Sequence, residues 1–209
     1  MNPPVPVTTE TLHHAAALLR GGRVVAFPTE TYYGLAVDPC NAQALERLFE
    51  IKRRSRELPI LVLVSGREQL QQTTADVSAV YERLMQCFWP GPLTLVCTAR
   101  PCLPQQLTGN TGTVGVRHSP HPTANQLLAA FGGPITATSA NLSGHPPAVT
   151  ADEVARIFAG AVDLILDGGQ TPGGSGSTLV RLHGASLSCL REGKIAFSAV
   201  QACVDSLNS

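Results

Sequence analysis

The 209-residue chain carries no surplus of charge: 15 Lys and Arg balance 15 Asp and Glu, and charged residues make up only 14%. Dedicated nucleic-acid binders draw their affinity from neutralising phosphates and are normally basic, so the balance argues against that class. No apolar run approaches the ~18 residues that span a bilayer. The opening "MNPPVPVTTET" lacks a basic segment followed by an apolar one. Neither a membrane span nor a signal peptide is therefore expected, and the expected location is cytoplasmic. The cysteines at 40, 87, 97, 102, 189 and 203 form no C-x-x-C pair and no zinc-like spacing with histidine. Their mostly apolar surroundings make small buried hydrophobes the expectation. The histidines at 13, 14, 118, 121, 145 and 183 have no metal-ligand spacing, since adjacent His13 and His14 point to different faces of a helix. No acid pair or Ser-His-Asp order emerges. "TPGGSGSTLV" (171–180) is rich in glycine but has no G-K-[ST], and no G-x-G-x-x-G opens a helix after a strand. Hydrolysis by a nucleophilic side chain or by zinc thus finds little support, and chemistry here has to come from charge stabilisation and positioning.

What is present is a globular composition, 44% hydrophobic, with 19 glycines and 16 prolines in short turn-like clusters. Thr8 or Thr9 can cap a helix running to about Arg20, with Gly21 and Gly22 as its stop. "RVVAF" reads as a strand ending at Pro28. Asn41 caps a second helix that places Leu45, Leu48 and Phe49 on one face and delivers Lys52, Arg53, Arg54 and Arg56 at its end. "PILVLV" reads as a buried strand. A helix near 76–88, a strand in "WPGPLTLVC", the strand "TVGVR" and the helix "PTANQLLAAFGG" follow. Next come the strand "PITATS", a helix whose Thr150 and Glu153 have capping-box spacing, the strands "DLILD", "STLVRL" and "SLSCLRE", and a helix over about 198–206. The interleaving predicts an α/β fold: one domain over residues 1–209 around a twisted mixed sheet.

Two hydroxyl-rich segments follow strands, and a third leads into one. "FPTETYYGL" offers Thr29 and Thr31 at the carboxyl edge of its strand, a usual ligand position in open α/β sheets. "ITATSANLSG" offers Ser139 and Asn141, and "TPGGSGSTLV" offers Ser177 and Thr178. Each can equally be an ordinary capped turn. Arg117 and Arg191 end two further strands or turns, and such cations beside hydroxyl-rich loops suit two anionic ligands. A solvated strand end is the plain alternative. The helix macrodipole likewise accounts for part of the charge at residues 52–56.

Taken in order, "FPTETYYGL", the basic segment at 52–56, "FWPGPLTLV", "VGVRHSPHP", "TSANLSGHPP" and "GSTLVRL…LREG" resemble the YrdC/YciO family over roughly residues 10–195. The resemblance is greatest to its threonylcarbamoyl-AMP synthase branch, in the single-domain form. It implies a twisted α/β sheet with a large concave cationic cavity. It also implies condensation of L-threonine, bicarbonate and ATP to threonylcarbamoyl-AMP and pyrophosphate, a nucleotidyl transfer serving the threonylcarbamoyl modification of tRNA. Mg²⁺ is implied with ATP, its ligands unknown, and so is hand-off to a TsaD-type transferase complex, with weak binding of tRNA or double-stranded RNA.

By motif, the family's K-x-R…S-x-N tetrad falls on Lys52, Arg54, Ser139 and Asn141 as catalytic residues. ATP contacts fall on these four and on Arg56, Thr113 and Arg191; threonine contacts fall on Thr31, Arg117 and Ser177. The chain departs from the family pattern at Arg53 (a glycine), Ser55 (a proline), Leu58 (Lys or Asn) and Leu63 (a histidine). Leu58 and Leu63 remove polar contacts, and Arg56 is a stand-in for the charge missing at Leu58. A non-catalytic RNA-binding or ribosome-associated protein with the same cavity is the alternative, and a nucleotide hydrolase a weaker third.

Overall fold

The structure, a computed structural model, describes residues 2–184 and 186–205. In chain order the elements are β1 (Val5–Pro6), α1 (Thr9–Arg20), β2 (Val25–Pro28), β3 (Tyr33–Ala36), α2 (Ala42–Lys52), β4 (Val62–Leu63), α3 (Arg67–Thr73), α4 (Ala79–Phe88) and β5 (Leu93–Thr98). There follow α5 (Gln105–Thr108), β6 (Thr113–Arg117), α6 (Pro122–Phe131), β7 (Ile135–Thr136), β8 (Thr138–Ser139), α7 (Ala151–Phe158), β9 (Leu164–Asp167), β10 (Thr178–His183), β11 (Ser186–Arg191) and α8 (Phe197–Asp205).

The fold is α/β and mixed, as expected, but its strands form two sheets. One runs β1-β9-β2-β3-β8, the other β11-β10-β5-β6-β4-β7. Both combine parallel and antiparallel pairs. The segment 135–139 joins them: β7 pairs with β4 in one sheet and β8 with β3 in the other. Ala137 between them donates its N–H to Leu61 O at 2.8 Å.

The continuous apolar run at β2 follows from burial on both faces. Val24 and Ala26 enter one core, while Val25 and Phe27 enter a second, in the period-two alternation of a strand. The second core is roofed by α1 and α6, whose Leu12, Ala15, Leu19, Ala124, Leu127 and Leu128 recur at helical spacing. The first takes Leu45, Leu48 and Phe49 of α2, Leu84 of α4, and Val154 and Phe158 of α7.

Helix termini follow the capping residues. Thr8 and Thr11 close a capping box on α1, Asn41 accepts from Ala44 N, and Thr150 and Glu153 close the box on α7. Other expectations shift. The hydroxyl-rich segment after Pro28 is a tight hairpin into β3, with Pro28 opposite Tyr33. Within "PILVLV" only Val62 and Leu63 are strand, and the helix expected from 76 begins at Ala79, capped by Ser78. Helices α3 and α5, too short and polar to signal themselves, were not foreseen. The expected last helix is α8; its predicted end at Ser206 lies outside the described residues. The cysteines also depart from the expectation. Cys97 alone is a buried free thiol, Cys40 and Cys102 are exposed, and Cys87 of α4 is disulfide-bonded to Cys203 of α8.

Candidate active site

The two sheets share a cavity of about 610 Å³, within the usual range for small-molecule sites. Strand alternation builds its floor: Thr94 and Val96 of β5, Thr113, Gly115 and Arg117 of β6, and Leu179 and Arg181 of β10 all face it. Thr31, Ser139 and Asn141 come from the other sheet's hairpin and crossing segment. Arg54 and Arg191 complete the polar lining. The walls thus carry four guanidiniums and, among the described residues, no Asp or Glu.

Arg117, at 4% exposure, is the most deeply set of the four. Its Nη1 lies 2.8 Å from Glu30 Oε1 in a pair whose side chains are 5% and 11% exposed. Glu30 Oε2 accepts from Ser119 Oγ, and Glu30 O accepts from Lys194 Nζ at 2.9 Å. Burial pulls the Arg117 guanidinium down from its usual range, Glu30 holds it up, and Arg191 pushes it down again. Its Nε keeps a donor without a protein partner. Arg54 is lowered by burial and by Arg191; its Nη2 donates to Pro59 O at 2.9 Å, and its Nε is likewise unpartnered. Arg191 donates to Ser177 O at 2.9 Å and to Ser177 Oγ at 3.2 Å, and Ser177 Oγ lies 2.8 Å from Thr94 Oγ1.

This coupling of Arg191 to Ser177 needs Gly193. A Cβ there would stand 2.2 Å from Gly176 O and 2.5 Å from the Ser177 carbonyl carbon. Only a residue without a side chain lets the 192–195 turn close on the 176–178 backbone, where Gly193 N donates to Thr178 Oγ1 at 3.0 Å.

Lys52 is not on the cavity wall. It lies 1% exposed beneath the 139–141 loop. Its ammonium donates to Ser139 O, to Asn141 O at 2.8 Å and to Asn141 Oδ1 at 3.1 Å. Three protons thus meet three oxygens. The backbone returns the link, since Ser143 N donates to Lys52 O at 2.9 Å. Burial, then the charge of Arg54, lowers Lys52 to about 7. Ser139 Oγ donates to Asn141 Oδ1 at 2.7 Å, and Asn141 Nδ2 to His145 O at 2.6 Å, so the lysine and this local network fix the loop together.

The cavity therefore gathers Arg54, Ser139, Asn141, Thr113, Arg191, Thr31, Arg117 and Ser177, and leaves Lys52 and Arg56 outside its walls. Arg56 is exposed and paired with Glu46, so it does not stand in for Leu58. Leu58 lies at the cavity mouth with Leu190; they are the two exposed large hydrophobics among the described residues, at 46% and 52%. Leu63 is buried in β4, away from the cavity, so its departure removes no wall contact. Sequence reasoning missed Glu30, Ser119 and Arg181. All three sit inside quoted motifs, and the first two would follow from asking what neutralises a buried arginine. Arg181 would follow from alternation with Leu179.

Fold and cavity define an α/β protein with four guanidiniums lining a cavity between two mixed sheets. The chain belongs to the Sua5/YciO/YrdC family, whose family model, Sua5_yciO_yrdC (Telomere recombination), matches residues 17–193. It is 38% identical over 187 residues to the threonylcarbamoyl-AMP synthase of Pyrococcus abyssi, covering 90% of this chain and 55% of that one. It is 39% identical over 186 residues to the threonylcarbamoyl-AMP synthase of Vibrio cholerae, covering 88% and 98%. The chain thus spans about half the length of the P. abyssi and Bacillus subtilis relatives and nearly all of the V. cholerae one. Among solved structures, P. abyssi Sua5 complexed with L-threonine superposes with a TM-score of 0.92 at 35% identity, covering 97% of this chain and 60% of that one. Escherichia coli YciO superposes with 0.84 at 25% identity, covering 94% and 98%.

Proposed function

We propose that the chain is a threonylcarbamoyl-AMP synthase, a nucleotidyltransferase that condenses L-threonine, bicarbonate and ATP and releases pyrophosphate. The observation that carries this reading is the gathering of Thr31, Arg117 and Ser177 with Arg54, Thr113, Ser139, Asn141 and Arg191 around one cavity. The synthase names of the relatives and the threonine bound to P. abyssi Sua5 support it.

In this reading the threonine carboxylate takes donors of Arg117, a cation kept charged in its burial by Glu30. Bicarbonate carboxylates the threonine amine, its C–OH bond breaking and water leaving as the C–N bond forms, and the resulting carbamate oxygen attacks the α-phosphorus of ATP as the bond to pyrophosphate breaks. The carbamate is already an anion, so this attack requires no general base. Arg54 and Arg191 stand where negative charge grows at phosphorus and on the leaving group, and preorganised donors act without reorganising. Ser139 and Asn141 fix the phosphates, and Lys52 acts through the loop it clamps rather than by contact. The apolar rim of Leu58 and Leu190 suits the face of a base.

The lining offers hydroxyls and amides but no carboxylate, and no cluster of three His, Cys, Asp or Glu occurs among the described residues. These residues do not fit a resident metal, so Mg²⁺ enters this reading as part of the ATP substrate. No helix among the described residues is long and apolar enough to cross a membrane; a cytoplasmic location is part of this proposal. The product, a mixed anhydride, calls for a partner transferase that carries the threonylcarbamoyl group to tRNA.

The test is pyrophosphate release from ATP across amino acids, with and without bicarbonate. Release that needs both threonine and bicarbonate, and that falls ~10²–10³-fold in Arg54→Ala, is the expected result. Folded protein giving no such release at any Mg²⁺ concentration overturns the proposal.

A further inference from the structure

Arg181, inside "GSTLVRL", is the cavity cation to which neither the motif assignments nor the mechanism above gives a role. The other three each have structural work: Arg117 pairs with Glu30, Arg54 donates to Pro59 O, and Arg191 donates to Ser177. The Arg181 guanidinium makes no hydrogen bond or ion pair with any described residue, although it lines the cavity on a half-buried strand position. Arg191 bears on both Arg54 and Arg117, so those three form one electrostatic cluster to which Arg181 does not contribute.

Its place is fixed by register. Arg181 lies opposite Val96 of β5, and Val96 opposite Gly115 of β6. This row is two strand spacings wide and one cavity-facing step away from Arg117 along β6. The Arg117 and Arg181 backbones are therefore roughly 12 Å apart. Val96 and the side-chain-free Gly115 leave a low floor between them. β10 runs from Thr178, beside Ser177, out to the exposed His183, so Arg181 lies further along the strand than the Arg191–Ser177 contact, toward its exposed end.

A ligand whose anionic charge ends at the cluster has nothing to offer this residue; one that extends another phosphate or two across the Val96–Gly115 floor toward β10 does. We propose that Arg181 binds the terminal phosphates of a nucleoside triphosphate and holds the pyrophosphate leaving group, a role that rests on the adenylation reading above. A guanidinium fork matches non-bridging phosphate oxygens, and one that has no protein acceptor to give up gains the whole contact.

The experiment is calorimetric titration of ATP, AMP and inorganic pyrophosphate into wild type, Arg181→Gln and Arg181→Lys, each checked for an unchanged melting temperature. Arg181→Gln should weaken ATP and pyrophosphate about 10- to 100-fold and leave AMP within about twofold. Arg181→Lys, which keeps the charge but not the fork, should lie between. Equal weakening of AMP and ATP, no weakening of either, or wild type that binds no pyrophosphate overturns the assignment. The two readings fail separately. Loss confined to ATP and pyrophosphate without threonine-dependent turnover removes the adenylation and leaves Arg181 as a phosphate-binding residue. Normal turnover with wild-type-like binding in Arg181→Gln does the reverse.

Discussion

Arg53 shows how one residue can depart from a family pattern without touching the site. It caps α2 in the left-handed region, at φ +50°, with an exposed side chain. A glycine adopts that conformation without the Cβ penalty, which explains the glycine of the family motif. Relief of a left-handed penalty of ~1–2 kcal/mol outweighs glycine's larger entropy loss of ~0.5–1 kcal/mol, so Arg53→Gly should raise the melting temperature by a few degrees with turnover unchanged; calorimetry with the pyrophosphate assay checks both. Glu30 is the opposite case, a residue whose loss is felt through its partner. Glu30→Gln leaves Arg117 charged and buried without its counterion. We expect threonine affinity to fall at least ~10-fold while ATP affinity holds, and Glu30→Asp to restore part of it. Equal weakening for both substrates would point to general unfolding instead.

Lys52 adds a pH dependence. It titrates near 7 when folded and near 10.5 when unfolded. Between these values the unfolded chain holds the extra proton, so this site's contribution to stability rises with pH across that window. Melting curves of wild type and Lys52→Met should diverge in the wild type's favour from pH 7 toward 10. A constant difference would contradict the assignment.

Elements were legible where their signal is local. Capping residues gave the starts of α1, α2 and α7, and strand β6 coincides with its motif. What stayed hidden is what depends on partners far along the chain. "PITATS" reads as one strand, but Ala137 hands it from one sheet to the other, and only the positions of β3 and β4 decide where. The hairpin at Thr29–Tyr32 reads as a loop because its strand is short and its pairing residues include a proline. Likewise the basic segment at 52–56 announces charge but not direction: Arg54 faces the cavity, Arg56 turns to Glu46, and Lys52 turns beneath the loop. At this scale Gly193 is the sharpest test. Gly193→Ala should force the 192–195 turn off the 176–178 backbone, weakening substrate binding through Arg191 and Ser177 and lowering stability together. A variant with wild-type affinity and melting temperature would show that the turn can shift freely.

For the whole molecule, the Cys87–Cys203 bond ties α8 to α4 across 116 residues of sequence. Closing so long a loop restricts the unfolded chain, by about 2–4 kcal/mol in typical cases. Reductant should therefore lower the melting temperature by several degrees, and Cys203→Ser should be insensitive to it. Both cysteines lie away from the cavity walls, so turnover at moderate temperature should not respond. In a reducing compartment the pair is held as thiols, and the reduced value is then the relevant one.

The sealed ammonium beneath the 139–141 loop has a practical consequence. The chain contains two lysines, Lys52 and Lys194, and Lys194 belongs to an otherwise exposed turn. An amine-reactive reagent should thus mark Lys194 promptly and reach Lys52 only in the moments when the loop lifts. The ratio of the two labels, read by peptide mass spectrometry, makes the protein its own clock for loop opening, and an ATP-bound molecule should keep the slower time.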